Sequence, residues 1–131
     1  MKRLSDETKK HLVENLEKYP YFKQYENMLK DINFNIFYNA PCLLIIYGDT
    51  NSHWHVYDCT LAAGNIMLAA VEFGLGTCWI GFAGHICDSG EFKSKYNIPG
   101  HYKLVCPMVV GYPKVQLPPP DRKPAPVFFH G

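Results

Sequence analysis

The residues of this chain with the greatest chemical capacity are its thiols, its imidazoles and one glycine-punctuated segment. The five cysteines, Cys42, Cys59, Cys78, Cys87 and Cys106, are odd in number, form no CxxC pair and sit in or beside apolar runs. That pattern reads as free, buried thiols in a reducing compartment, with a single bridge as the open alternative. It does not resemble zinc-ligand spacing. His53-Trp54-His55 has the i, i+2 spacing that puts two imidazoles on one side of a strand. The surrounding Thr50–His55 segment is polar and loop-like, with no further matched ligand nearby. A solvated loop is the expected reading, and no metal is assigned. Asp58 has the chemistry of an acid or base, but it opens a helical pattern, where a carboxylate meets the helix dipole favourably.

The segment GLGTCWIGF, Gly74–Phe82, mixes strand and loop character. Glycine weakens a strand and has no side chain to pack, so three of them around Cys78, Trp79 and Ile80 point to backbone that approaches something closely. GLG here is not a dinucleotide fingerprint, because the spacing does not give GxGxxG. Cys78 is expected to be a small buried hydrophobe rather than a redox centre. Trp79 is expected to be a core side chain, with stacking on a ligand as the alternative.

The elements that position these residues follow from periodicity. Ser5 to about Lys18 has Leu12, Val13 and Leu16 on one face of a surface helix, interrupted by Pro20. A second helix is expected from Tyr21 to about Ile32. Ala40–Tyr47, APCLLIIY, has the form of a strand buried on both faces. Val56–Phe73 is a long helix, apolar nearly all round and rich in small residues, which predicts burial with another backbone close by. Gly74 is placed just past its end. Thr77–Ile80 reads as a short buried strand and Phe92–Tyr96 as a short helix. Lys103–Tyr112 reads as a third strand in which Pro107 marks an edge or a bulge. Val115–Gly131 is an extended Pro-rich tail whose apolar end, VFFHG, needs cover.

The chain is expected to form one domain over residues 1–131, α+β in class. A net charge of +1 gives no electrostatic footprint for nucleic acid or for a membrane surface. No apolar run is long enough to span a bilayer, and the basic start MKRLSDETKKHL lacks a signal peptide's apolar core. A cytoplasmic location is expected.

Taken in order, DCTLAAGNIMLAAVEFGLGTCWIGF (Asp58–Phe82), KYNIPGHYKLVCPMVVGYP (Lys95–Pro113) and PPPDRKP (Pro118–Pro124) resemble the nitroreductase family of FMN-dependent oxidoreductases. Upstream, NFNIFYNAPCLLIIYGD (Asn33–Asp49) is similar to the family's preceding strand. The resemblance implies a three-layer α/β/α sandwich around a small, mostly antiparallel sheet, incomplete at its N-terminus. It implies a homodimer with FMN at the subunit interface. It also implies hydride transfer from NADH or NADPH through the flavin to a nitroaromatic, quinone or similar small-molecule acceptor. By the same resemblance the backbone of Cys78, Trp79, Ile80 and Gly81 runs along the isoalloxazine ring, while Arg122 and Lys123 match the basic position that grips the FMN phosphate. A planar guanidinium fork suits that role. No residue is assigned to catalysis. The family's opening R-R-S-x-R and P-S-x-x-N-x-Q-P motifs have no match here. That leaves three readings: a fragment or shortened member that still binds FMN, a non-catalytic dimer, and a module for another flat ligand such as a deazaflavin or haem.

Overall fold

The computed structural model describes residues 1–115 and 118–129. Helix α1 (Lys2–Glu14) is followed by a 3-10 segment, Pro20–Tyr25, that runs into α2 (Glu26–Lys30). Strand β1 (Cys42–Asp49), helix α3 (His55–Glu72) and strand β2 (Gly76–Trp79) come next. A 3-10 turn at Gly81–Ala83 then leads into α4 (Gly84–Cys87), α5 (Gly90–Lys95) and β3 (Tyr102–Gly111). The architecture is the expected α+β arrangement, with a three-stranded antiparallel sheet in the order β1-β3-β2.

The first helix stops four residues short of Lys18. Asn15 donates its side-chain N–H to the His11 carbonyl, a local bond that competes with continuing the helix, and Pro20 excludes helical backbone just before it. The second stretch is mostly 3-10 and ends at Lys30 rather than Ile32. Buried Lys9 closes that end, donating from Nζ to the Asp31 carbonyl at 2.9 Å and the Phe34 carbonyl at 2.6 Å.

Side-chain alternation divides the core between two faces. Leu43, Ile45, Leu104 and Val109 face Leu12, Leu29, Ile36, Phe37, Cys87 and Phe92 on the α1, α2, α4 and α5 side. Leu44, Ile46, Cys106 and Met108 face Ala63 and Met67 of α3. Leu104 and Cys106 are two apart in sequence yet lie on opposite faces. The cause is a bulge: Ile46 pairs with Cys106 but Tyr47 pairs with Leu104, leaving Val105 unmatched.

Pro107 lies on the central strand rather than at a sheet edge, and the alternative expected for it, a bulge, occurs two residues earlier in the same strand, at Val105. The Pro107 carbonyl accepts the Ile80 N–H at 2.8 Å, so the residue's own nitrogen points toward the β2 side. There β2 has already ended at Trp79, and the missing donor goes unneeded. Burial differs from the sequence reading in two strands. β1 is mostly half-buried rather than covered on both faces, because it forms one edge of the sheet. β2 is the other edge, with Cys78 and Trp79 exposed.

Helix α3 buries a narrow stripe, with only Ala63 and Ala70 enclosed. Its opposite face is apolar and exposed: Tyr57, Leu61, Gly64, Leu68 and Val71 recur at steps of four and three. Gly74 ends the connection to β2 with φ +67, and its N–H caps the Val71 carbonyl at 3.0 Å. Gly74→Ala should cost about 1–2 kcal/mol, read as a lower denaturation midpoint, because the left-handed region penalises a Cβ by that much.

Over residues 118–129 the expected tail is exposed and forms no helix or strand. Gln116, Leu117, His130 and Gly131, which that reading included, lie outside the described residues.

Candidate functional site

The glycine-punctuated segment forms an edge strand and the turn that leaves it. Cys78 pairs with Val109, and the Ile80 N–H goes to the Pro107 carbonyl. Main-chain polar groups alternate sides along a strand, so the groups of Cys78 and the Ile80 N–H face β3. Those of Thr77 and Trp79 face outward, where no strand pairs with them. Of the four residues proposed from sequence, Cys78 therefore has its strand hydrogen bonding committed to β3, while Ile80 gives its N–H to Pro107 and its carbonyl accepts the Ala83 N–H at 3.1 Å in the turn. The Trp79 backbone faces away from β3. Gly81 is exposed and starts the 3-10 turn, and a Cβ built on it meets nothing within 4 Å.

The side chains differ from expectation. Ile80 is buried at 3% exposure, whereas Trp79 keeps 39% and is not enclosed in the core of the chain. Cys78 is exposed, as is Cys42, because both lie on edge strands. All five cysteines are unpaired. Burial pushes the Cys87 and Cys106 thiols up to about 11, leaving them protonated and unreactive near neutral pH.

Arg122 and Lys123 lie in the exposed segment after β3, outside any helix or strand. His53 is exposed, and His55 is the first residue of α3, with Nδ1 2.7 Å from the Ser52 carbonyl oxygen. Asp58 sits in the first turn of α3 and is exposed, which fits the dipole role. Among the described residues no group of three or more His, Cys, Asp or Glu is placed to hold a metal ion.

Two features escaped the sequence reading. The first is a tether at the α4–α5 junction. Asp88 Oδ1 accepts from Lys93 Nζ at 2.6 Å and from the Leu104 N–H at 3.1 Å, and Oδ2 faces Lys103 Nζ at 3.4 Å. Burial alone would raise the Asp88 carboxyl, but Lys93, the Leu104 amide and Lys103 together hold it below its usual value. Beside it, Tyr47 donates its hydroxyl to the Cys87 carbonyl; burial, with Cys87 and Asp88 nearby, raises that phenol. No motif signals this cluster, because its partners come from three separate elements.

The second feature is a cleft of about 840 Å³ over the β1 edge, between the start of α1 and α5. Its floor includes Leu43, Ile45 and Phe92, with Arg3, Glu7, Glu91 and Lys95 among its charged lining residues. It shares no lining residue with Cys78–Gly81. The candidate site is instead an open strand edge whose unpaired main-chain groups are its polar equipment.

The fold is α/β/α, and at this edge it exposes main-chain groups of Thr77 and Trp79 rather than a side-chain cluster. The Nitroreductase family profile matches residues 1–112, and the chain belongs to that family. That match ends before Arg122 and Lys123. The chain is 32% identical over 105 residues to "Putative NADH dehydrogenase/NAD(P)H nitroreductase" of Methanothermobacter thermautotrophicus, covering 76% of this chain and 50% of that protein. It thus spans half the length of that curated relative. Among solved structures, an FMN-bound nitroreductase of Bacteroides fragilis superposes with a TM-score of 0.77 at 22% identity, over 98% of this chain and 69% of the other. An FMN-bound nitroreductase of Desulfitobacterium hafniense gives 0.71 at 24% identity, over 94% and 68%. At those identities the structures show a shared fold.

Proposed function

We propose that this chain is an FMN-dependent oxidoreductase of nitroreductase type, carrying hydride from NADH or NADPH to a nitroaromatic, quinone or similar small-molecule acceptor. The observation that carries the reading is the outward-facing main chain of Trp79, followed by the open Gly81, within a fold whose solved counterparts hold FMN. When bound, FMN supplies the redox chemistry; the protein supplies position and electrostatics.

The residues present fit such a group. The outward N–H of Trp79 is a fixed dipole suited to an electron-rich ring edge, and the open space at Gly81 leaves room for close approach. Cys78 pairs with β3 and Ile80 gives its N–H to the Pro107 carbonyl and its own carbonyl to the Ala83 N–H, and these bonds hold that backbone in place. The exposed Trp79 ring has surface for stacking. Arg122, with Lys123, supplies positive charge for the phosphate.

The partner is a second copy of this chain, giving a homodimer. Leu61, Leu68 and Val71 of α3 are about 70% exposed, which leaves an apolar seam too continuous for a solvated helix face. One domain over residues 1–131 and a cytoplasmic location complete the reading, the latter from five unpaired thiols. No helix among the described residues is long and apolar enough to cross a membrane.

The visible absorption spectrum before and after added FMN tests this. The expected result is a yellow protein with bound oxidised-flavin absorbance that bleaches on adding NADH or NADPH. A protein that stays colourless after reconstitution and oxidises neither nucleotide overturns the reading in favour of a non-catalytic member. A flat ligand other than FMN in the native mass spectrum would identify a binding module.

A further inference from the structure

The turn that leaves β2 is held at three positions flanking Gly81: Ile80 before it, and Phe82 and Ala83 after it. Ile80 is fixed to β3 through Pro107, and Ala83 is fully enclosed. Between them the Phe82 ring sits among three other aromatic rings: Phe22 at 5.6 Å, Tyr25 at 5.4 Å and Phe34 at 6.3 Å between centroids. Tyr25 and Phe34 meet it edge-on, at 90° and 83°. Edge-to-face contacts depend on orientation, so this cage fixes the direction of the ring as well as partly covering it. Phe22 and Tyr25 belong to the 3-10 segment and Phe34 to the loop after α2, so these two segments meet the turn at the Phe82 ring, while Ala83 packs in the core cluster that includes Leu12 of α1.

We propose that Phe82 is a positioning residue: its aromatic cage sets where the main chain of Trp79–Gly81 lies, and thereby how tightly that edge holds FMN. This rests on the reading of that edge as the flavin site. Gly81 has no side chain of its own to fix it and is open to solvent, so its location is dictated by its pinned neighbours. A leucine at 82 keeps the apolar contact but has no ring edge or face, and the turn loses its orientation. A tyrosine keeps the ring.

The test uses the full chain with Trp54→Phe, so that Trp79 is the only tryptophan and its emission reports on the turn without any ligand. Phe82→Leu should shift Trp79 emission, raise its quenching by acrylamide and weaken FMN binding at least tenfold by flavin-fluorescence titration. It should also move the potential of the bound flavin. Phe82→Tyr should restore both signals to near the parent. If Phe82→Leu does not fold, Phe34→Leu removes one wall of the cage and should give the same changes at smaller size. Unchanged Trp79 emission together with FMN affinity within twofold of the parent, despite a lowered melting temperature, would show that Phe82 only fills the core. If the parent itself binds no FMN, the flavin reading fails, and the emission and quenching of Trp79 alone decide whether Phe82 positions the turn.

Discussion

Gly64→Leu should leave the chain folded, even slightly more stable, while abolishing the self-association proposed through α3. Gly64 lies on the exposed face of α3, and a Cβ there meets nothing within 4 Å inside the protomer. Replacing a mid-helix glycine by leucine improves helix propensity by about 0.8 kcal/mol, so the melting temperature of the isolated protomer should rise. The seam Tyr57, Leu61, Gly64, Leu68, Val71 has glycine at its centre, where a crossing helix comes closest. In a two-fold dimer the added side chain enters twice. Overpacking costs typically about 1–3 kcal/mol per site, so the dimer dissociation constant should rise roughly a hundredfold or more. Sedimentation equilibrium at micromolar concentration reads this directly. Leu68→Glu, which places a carboxylate from each protomer in the seam, should do the same without changing helix length by circular dichroism. If both variants remain dimeric with the parent's affinity, the partner sits elsewhere and the α3 seam has another use.

Asp88→Asn should destabilise the fold by about 2–3 kcal/mol at neutral pH, because it leaves a buried ammonium without its counter-charge. Lys93 is only 8% exposed at the side chain, while Asp88 keeps 27%. That residual contact with water puts the cost below the 3–5 kcal/mol roughly expected for breaking a fully buried pair. The pH dependence has a definite sign. The Asp88 carboxyl is held below its usual value in the fold, so the unfolded chain binds its proton first as the pH drops. Its contribution is complete above about pH 4 and is lost as the pH falls through the lower, folded-state value. Wild-type and Asp88→Asn denaturation midpoints, well separated at pH 7, should therefore converge below pH 4. A constant gap across that range would mean the carboxylate's charge is not what ties α5 to β3.

Much of the architecture was legible from periodicity. The long apolar helix, the APCLLIIY and KLVCPMVVGY strands and the GLGTCWIGF junction all appear within a few residues of their expected limits. Those patterns are local, and hydrogen bonding within a helix or burial of a strand reads directly onto them. The resemblance to the nitroreductase family was likewise carried by ordered short motifs, and the family match over residues 1–112 bears it out. Less was legible where long-range packing decides. Ser5–Lys18 looked like an unbroken helix until Asn15 turned back on His11, and α4 was missed altogether, being four residues with no periodicity to show.

By itself, then, the sequence determined the class of fold, the family and the place of the glycine-punctuated segment between α3 and β3, because each depends on residue type and short spacing. Which residues of that segment remain open was a tertiary decision. The Ile80–Pro107 bond sets the parity of β2, and parity turns Trp79 outward while enclosing Ile80. The tertiary fold also moved proline-bearing β3 to the centre of the sheet, where the short reach of β2 leaves Pro107 no lost bond. A strand's sequence specifies which side chains alternate, but only its neighbours decide which main-chain groups are spent and which are left for a ligand.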